Sequence, residues 1–168
     1  MALRFDAGEV VTAMVTPMKK SGEIDYNKAE ELAKYLIANG SETLLVAGTT
    51  GESPTLTHEE ELELLSTVKR ASANKAKIIM NTGSNSTETA VKMTKLAQKE
   101  EVDAVLSVVP YYNKPTQEGF YQHFAAVAQS TGLPIIVYNV PGRTGMNISV
   151  DTVVELAKHR NIKAMKDA

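Results

Sequence analysis

Cysteine and tryptophan are absent from this sequence of 168 residues, and only 5% of its residues are aromatic. Without cysteine, the chain can form neither a disulfide framework nor a thiolate metal site. Its longest apolar runs, such as residues 105–110 and 135–138, fall far short of the about 18 to 20 residues that cross a bilayer. The first ten residues show no basic segment followed by an apolar one, so no export signal is predicted. These absences predict a cytoplasmic protein that does not contact membranes.

Neither sign of charge dominates, because 18 Lys and Arg stand against 20 Asp and Glu. No basic block is present that would bind a phosphate backbone, so nucleic acid is not a predicted partner. His58, His123 and His159 are dispersed over three predicted helices, where we expect solvated side chains and no metal site. With 43% hydrophobic and 23% charged residues, the composition is that of one folded domain over residues 1–168.

Short β-rich runs alternate along the chain with longer segments whose apolar residues recur at helical spacing. Thr57 precedes Glu60 at the spacing of a capping box, Ser86 is placed to cap a helix, and Asn39-Gly40 is placed to end one. Strands are predicted at residues 10–15, 43–47, 77–81, 104–109, 134–138 and 162–166. Helices are predicted at residues 26–38, 58–73, 86–99, 117–129 and 150–159.

The predicted strands are continuous apolar runs, which indicates a parallel sheet covered by helices on both faces. Two α/β architectures fit this pattern: an open doubly wound sheet and part of a (β/α)8 barrel. A dinucleotide-binding open sheet would show a G-x-G-x-x-G sequence, and none is present. A complete barrel needs about 250 residues, and this sequence holds about six strands and five helices. If it is a barrel, we expect a truncated one.

Polar residues follow the strands, at the sheet edge where α/β proteins bind ligands. Lys166 ends the sixth strand and alternates with Ile162 and Ala164, so its side chain is predicted to point towards one buried face. A desolvated lysine amine can form a Schiff base with a carbonyl substrate. The alternative is an ordinary surface lysine.

Three further strand ends carry candidate binding groups, each with a structural alternative. The loop at residues 48–52 has glycines on both sides of Thr49 and Thr50, which favours exposed N–H groups that bind a carboxylate, or a plain turn. Tyr138 is placed for proton transfer, or is a buried structural tyrosine. Arg143, in a Pro-Gly turn, is suited to a carboxylate contact or is a surface residue. Tyr111 and Tyr112 point to opposite sides, so one can serve the site and the other an interface.

Four segments together resemble the dihydrodipicolinate synthase family in their order and spacing: residues 48–52, 110–115, 138–145 and 162–166. The resemblance runs from Val10 to the last residue. It implies α/β structure as a truncated (β/α)8 TIM barrel with about six parallel strands and five helices. It also implies a lyase that condenses pyruvate with aspartate semialdehyde in diaminopimelate and lysine biosynthesis, with no cofactor.

The resemblance also implies roles for single residues. Lys166 resembles the Schiff-base lysine, and Tyr138 the tyrosine that hydrogen-bonds the intermediate and moves protons. Thr49 resembles the hydroxyl that links two tyrosines in a proton relay. Tyr112 resembles the tyrosine that reaches across a dimer interface into the neighbouring site, which implies a homo-oligomer.

Two positions resemble substrate-binding residues of the family. Thr50 is similar to the residue that binds the pyruvate carboxylate, and Arg143 to the residue that binds the carboxylate of aspartate semialdehyde. Asp167 stands where glutamate is more usual, a change that we expect to leave the strand geometry unaltered. Members inhibited by lysine tend to have alanine, histidine and glutamate where this sequence has Pro54, Glu61 and Thr89. Lysine feedback is therefore not expected.

Two other functions compete with this interpretation. N-acetylneuraminate lyase and related keto-acid aldolases also use a lysine on the sixth strand, but Thr49 and Arg143 favour the synthase. A chain of six strands is alternatively an inactive half-barrel-like assembly unit. Open first and last strands then predict self-association and slow condensation by the 168-residue chain.

Overall fold

A computed structural model describes residues 5–168 and divides them into two compact units, which are considered in turn. The first four residues, which belong to the segment predicted to lack an export signal, lie outside the described part. The single domain predicted over residues 1–168 stays a prediction. In residues 5–168 no helix has both the length and the apolar character needed to cross a membrane.

The first unit, Asp6–Asn81, is a three-stranded parallel sheet with two helices. Strand β1 (Val11–Ala13) pairs with β2 (Thr43–Val46), which pairs with β3 (Lys77–Asn81). The helices α1 (Tyr26–Ala38) and α2 (His58–Ser72) pack against each other.

The predicted helix signals of this unit are present. The Thr57 hydroxyl accepts a hydrogen bond from the Glu60 N–H at 3.2 Å, and the Glu60 carboxylate accepts one from the Thr57 N–H at 2.8 Å. This capping box starts α2 by satisfying N–H groups that have no partner within the helix. Asn39 caps the end of α1, and Gly40 follows with φ +97°.

The second unit, Thr82–Ala168, is also a three-stranded parallel sheet. Strand β4 (Ala104–Val108) pairs with β5 (Ile135–Asn139), and β5 pairs with β6 (Ile162–Asp167). Its helices are α3 (Thr87–Lys99), α4 (Gln117–Gln129), the single turn α5 (Pro141–Thr144) and α6 (Val150–Leu156). Ser86 caps α3 as predicted, its hydroxyl accepting from the Thr89 N–H. The core cluster is Val109, Phe120, Phe124, Val137, Ile148 and Leu156.

Burial on both faces is confirmed for four strands and wrong for two. Every residue of β2 and β5 is buried, and β3 and β4 are buried except at one end. In contrast, β1 has no buried residue, and β6 has only exposed and half-buried residues. In β1 and β6, apolar residues are therefore present without the burial on both faces that the sequence predicts. The segment predicted as a Pro-Gly turn is instead one helical turn, α5, with Pro141 at its start and Gly145 at φ +69° ending it.

Candidate active site

Two of the predicted site residues lie together at the carboxyl ends of β5 and β6. Tyr138 and Lys166 are register partners in the parallel ladder, and Lys166 Nζ lies 4.3 Å from the centroid of the Tyr138 ring. Tyr138 is buried and Lys166 is half-buried. The contact with the ring face favours this orientation of the lysine side chain at the strand end. The amine lies over the ring face.

The prediction that Lys166 and Ile162 share one face of β6 was wrong, because β6 contains a bulge between them. Ile162 pairs with Ile135, but the next partner of β5, Ile136, pairs with Ala164, so Lys163 is an extra residue. Ile162 consequently packs against the core cluster with Val137. Lys166 pairs with Tyr138, the neighbour of Val137, and therefore lies on the opposite face from Ile162.

A buried amide next to this pair was not singled out by the sequence analysis. The Asn139 Nδ2 group donates to Asp167 Oδ1 at 2.8 Å and to Asn147 Oδ1 at 2.7 Å. The Asn139 Oδ1 atom accepts from the Ile148 N–H at 3.3 Å. The only signal for this network in the sequence is that Asn139 and Asp167 each directly follow a candidate residue.

The structure places Arg143 and Tyr112 at exposed positions of the second unit. Arg143 lies on α5, and no ion pair to it is found within residues 5–168. Tyr112 is 88% exposed and has φ +67°, a left-handed backbone conformation that is uncommon for a tyrosine. Tyr111 is half-buried, so the two adjacent tyrosines do have different surroundings.

Thr49 and Thr50 are exposed in the first unit, in the loop that follows β2. The Thr49 carbonyl accepts from the Glu52 N–H at 3.1 Å, and the Gly51 N–H donates to the Gly48 carbonyl at 3.0 Å. The loop is a tight turn as predicted, with the hydroxyls of both threonines on an exposed segment.

The glycines of this loop do not adopt the left-handed conformation that most often favours glycine. The left-handed residues are Ala47 and Glu52, at φ +51° and +58°, and not the two glycines. Close approach favours glycine at position 51, since a Cβ there would lie 3.1 Å from the Met14 carbonyl oxygen and 3.2 Å from Thr16 Oγ1. The Thr16 hydroxyl also donates to the Gly51 carbonyl at 2.6 Å, which ties the loop to the end of the first strand region.

Glu61 is a buried carboxylate beside the same loop. It accepts a hydrogen bond from the Ser53 hydroxyl at 2.5 Å and lies 3.2 Å from His58 Nδ1. Burial raises the pKa of Glu61, while its contacts with Ser53 and His58 act in the opposite direction. The Asn81 amide reaches Ser53 Oγ at 3.4 Å. Glu61 thus anchors the first turn of α2 to Ser53.

One of the three histidines contradicts the prediction of solvated helix faces. His123 on α4 is only 4% exposed, with Nδ1 at 2.9 Å from the Thr87 hydroxyl. Its Nε2 atom is buried and has no hydrogen-bond partner in the described part of the chain. Burial lowers the pKa of His123 to about 4. The sequence signal was its place on the apolar side of α4, next to Phe124.

Comparison with known proteins identifies the family. The model of the dihydrodipicolinate synthetase family matches residues 6–168. The chain belongs to this family. Its relative from Moorella thermoacetica, a 4-hydroxy-tetrahydrodipicolinate synthase, is 52% identical over 161 residues, which make up 96% of this chain and 55% of that protein. The chain spans about half the length of the curated relatives it matches.

Solved structures of the family agree with the fold. A dihydrodipicolinate synthase from Bacillus anthracis is 52% identical and superposes with a TM-score of 0.95, covering 98% of this chain and 56% of that chain. The enzyme from Acinetobacter baumannii, solved in complex with pyruvate, is 45% identical with a TM-score of 0.95 and covers 97% of this chain and 56% of that chain. The prediction of part of a (β/α)8 barrel is confirmed, and the open doubly wound sheet is excluded.

Proposed function

We propose that this chain carries the Schiff-base site for the condensation of pyruvate with aspartate semialdehyde, with Lys166 as the nucleophile. The observation that carries the proposal is the Lys166 amine 4.3 Å from the Tyr138 ring centroid, at the paired carboxyl ends of β5 and β6. Active sites of barrel enzymes lie at this end of the strands. Membership of the dihydrodipicolinate synthetase family supports it, as does the pyruvate complex of the relative from Acinetobacter baumannii.

The proposed chemistry begins when the neutral Lys166 amine attacks C2 of pyruvate and the carbonyl oxygen leaves as water. The resulting imine draws electrons from C3, which loses a proton to give an enamine. C3 of the enamine then forms a bond to the aldehyde carbon of aspartate semialdehyde, whose oxygen takes up a proton. Hydrolysis finally releases the lysine. Tyr138 is the proposed group for moving protons at the imine, because it is the phenol next to Lys166.

The other predicted residues receive supporting roles in this proposal. Thr50 binds the pyruvate carboxylate through its exposed hydroxyl and N–H, and Thr49 takes part in the proton relay. Tyr112 is proposed to enter the site of a second copy, which fits its 88% exposure. A homo-oligomer and a cytoplasmic location are part of the same proposal.

We expect Arg143→Ala to weaken the use of aspartate semialdehyde more than that of pyruvate. Arg143 is exposed and its proposed partner is the second carboxylate, so the loss of a charge-assisted contact costs about 1.5 to 3 kcal/mol. This corresponds to a roughly tenfold to hundredfold lower kcat/KM for that substrate. The effect is measured by steady-state kinetics on a version of the protein extended to the full length of its relatives. Arg160→Ala, which removes an arginine just before β6, is the control. An equal loss for both substrates indicates that Arg143 only maintains the fold of α5.

The identity of the second substrate tests the proposed function as a whole. Protein incubated with pyruvate is mixed with aspartate semialdehyde in one arm and with N-acetylmannosamine in the other, and the loss of each acceptor is followed. The synthase proposal predicts loss of aspartate semialdehyde that depends on pyruvate and on Lys166. Consumption of N-acetylmannosamine alone would assign the chain to the lyases instead.

A further inference from the structure

The Asn139 side chain bridges three segments of the second unit. It is 3% exposed, and its two N–H groups donate to the side chains of Asp167 and Asn147 at 2.8 and 2.7 Å. Its oxygen accepts from the Ile148 N–H at 3.3 Å. Both donors of the amide and its acceptor are thus used, so the position and orientation of the group are strongly defined.

The bond between Asn139 and Asp167 lies one register step beyond the proposed catalytic pair. Tyr138 pairs with Lys166, and Asn139 pairs with Asp167, on the same two strands. Because successive residues of a strand point to opposite faces, the amide–carboxylate bond and the lysine–tyrosine contact lie on opposite faces of this pair of strands. The ladder continues through the Ala168 N–H, which donates to the Asn139 carbonyl at 3.1 Å.

The bond between Asn139 and Asp167 contributes to the position of β6 because few apolar contacts hold this strand. The strand has no fully buried residue and carries a bulge at Lys163, so apolar packing alone holds its carboxyl end loosely. A hydrogen bond to a carboxylate is roughly twice as strong as one between neutral groups. Asn139 therefore adds a side-chain contact to the backbone ladder that joins the ends of β5 and β6.

The third segment that Asn139 holds is the one that follows α5. Asn147 and Ile148 lie directly after the turn that carries Arg143, and Asn147 also accepts at its backbone carbonyl from the Gln117 amide at 2.9 Å. The same buried amide is thereby linked to the segments of Tyr138, Lys166 and Arg143.

We infer that Asn139 is a positioning residue that fixes the Lys166 amine over the Tyr138 ring through Asp167. This inference rests on the proposed role of Lys166. It predicts that the loss of the amide changes the reactivity of Lys166 specifically, beyond any general loosening of the fold.

The test compares three variants of the 168-residue chain. Asn139→Leu keeps the approximate size and removes all three hydrogen bonds, whereas Asp167→Asn keeps an oxygen that can accept from Asn139. Asn161→Leu is the matched control, because the Asn161 amide also bridges two groups, the carbonyls of Ala128 and Thr131 at 2.9 and 3.0 Å, at the opposite end of β6. Circular dichroism and thermal unfolding establish that each variant folds.

Two readouts are measured on each variant. The first is the rate of pyruvate trapping on Lys166 with borohydride, which we expect to fall about tenfold to hundredfold in Asn139→Leu, because small displacements of a reacting group cost that much. The second needs no pyruvate: competitive acetylation with mass spectrometry gives the pH profile of Lys166 labelling relative to Lys163. We expect this profile to change in Asn139→Leu, to stay close to that of the unaltered chain in Asp167→Asn and to be unaltered in Asn161→Leu.

Equal behaviour of Asn139→Leu and Asn161→Leu in both readouts would overturn the inference. If Asn139→Leu does not fold, Asp167→Ala removes the same link from the exposed side, and an unchanged Lys166 profile there overturns the inference as well. A wild-type chain that forms no pyruvate adduct contradicts the proposed function, while the acetylation profiles still decide the role of Asn139.

Discussion

Lys166→Ala is expected to abolish site-specific pyruvate trapping. The amine of Lys166 lies over the Tyr138 ring at the strand end, and no other lysine of the described chain shares that position. Borohydride reduces each imine irreversibly, so trapped protein accumulates even where imine formation is slow. Intact-mass measurement after incubation with pyruvate and borohydride gives the trapped fraction.

The matched control for this experiment is Lys163→Ala. Lys163 is the extra residue of the bulge in β6, three residues from Lys166, and its removal also deletes one basic side chain from the same strand. We expect this variant to trap pyruvate as the unaltered chain does. Trapping by Lys166→Ala at the level of the unaltered chain would show that the nucleophile is wrongly assigned.

Lowering the pH from 6.5 to 4 is expected to destabilise the second unit, because the buried His123 side chain resists protonation in the folded state. Burial lowers the pKa of His123 from 6.5 to about 4, so the unfolded chain binds a proton in this range before the folded chain does. The contribution of the neutral imidazole is complete above pH 6.5 and is lost as the pH falls towards 4. Its size is roughly 3 kcal/mol, since each unit of pKa difference corresponds to about 1.4 kcal/mol.

Urea unfolding at a series of pH values, followed for the unaltered chain and for His123→Leu, measures this effect. Leucine cannot be protonated, so the variant is expected to lose less free energy of unfolding between pH 6.5 and 4. Glu61 contributes in the opposite direction, because burial raises its pKa, but that contribution is common to both proteins and cancels in the comparison. If the free energy of unfolding depends on pH in the same way in both proteins, protonation of His123 does not destabilise the second unit.

The repeating element pattern was predictable because it depends on local signals. Lys77–Asn81 and Gln117–Gln129 have the predicted bounds, and Thr57, Ser86 and Asn39 cap helices where the sequence indicated. These features depend on side chains within a few residues of the element they start or end. Burial of β1 and β6 was not predictable in the same way, because it depends on which strands lie beside them.

Candidate residues of the site were predictable where the side chain's own chemistry identifies them. Residues that matter through their contacts with distant parts of the chain were not. The motifs identified Lys166 and Tyr138, and the structure brings these two together. The face of β6 on which Lys166 lies was not predictable from its alternation with Ile162, because apolar periodicity does not reveal the bulge at Lys163. The Asn139 network and the buried His123 were missed for a related reason: their partners lie 8 to 36 residues away in the sequence. The catalytic and binding roles of all six candidate residues stay predictions: Lys166, Tyr138, Thr49, Thr50, Tyr112 and Arg143.

A crystal structure of this protein with pyruvate tests directly whether Lys166 is the nucleophile. If it is, continuous electron density joins Lys166 Nζ to C2 of pyruvate, and the Tyr138 hydroxyl lies within hydrogen-bond distance of the adduct. Pyruvate bound without a covalent bond, or joined to a lysine other than Lys166, would contradict this assignment.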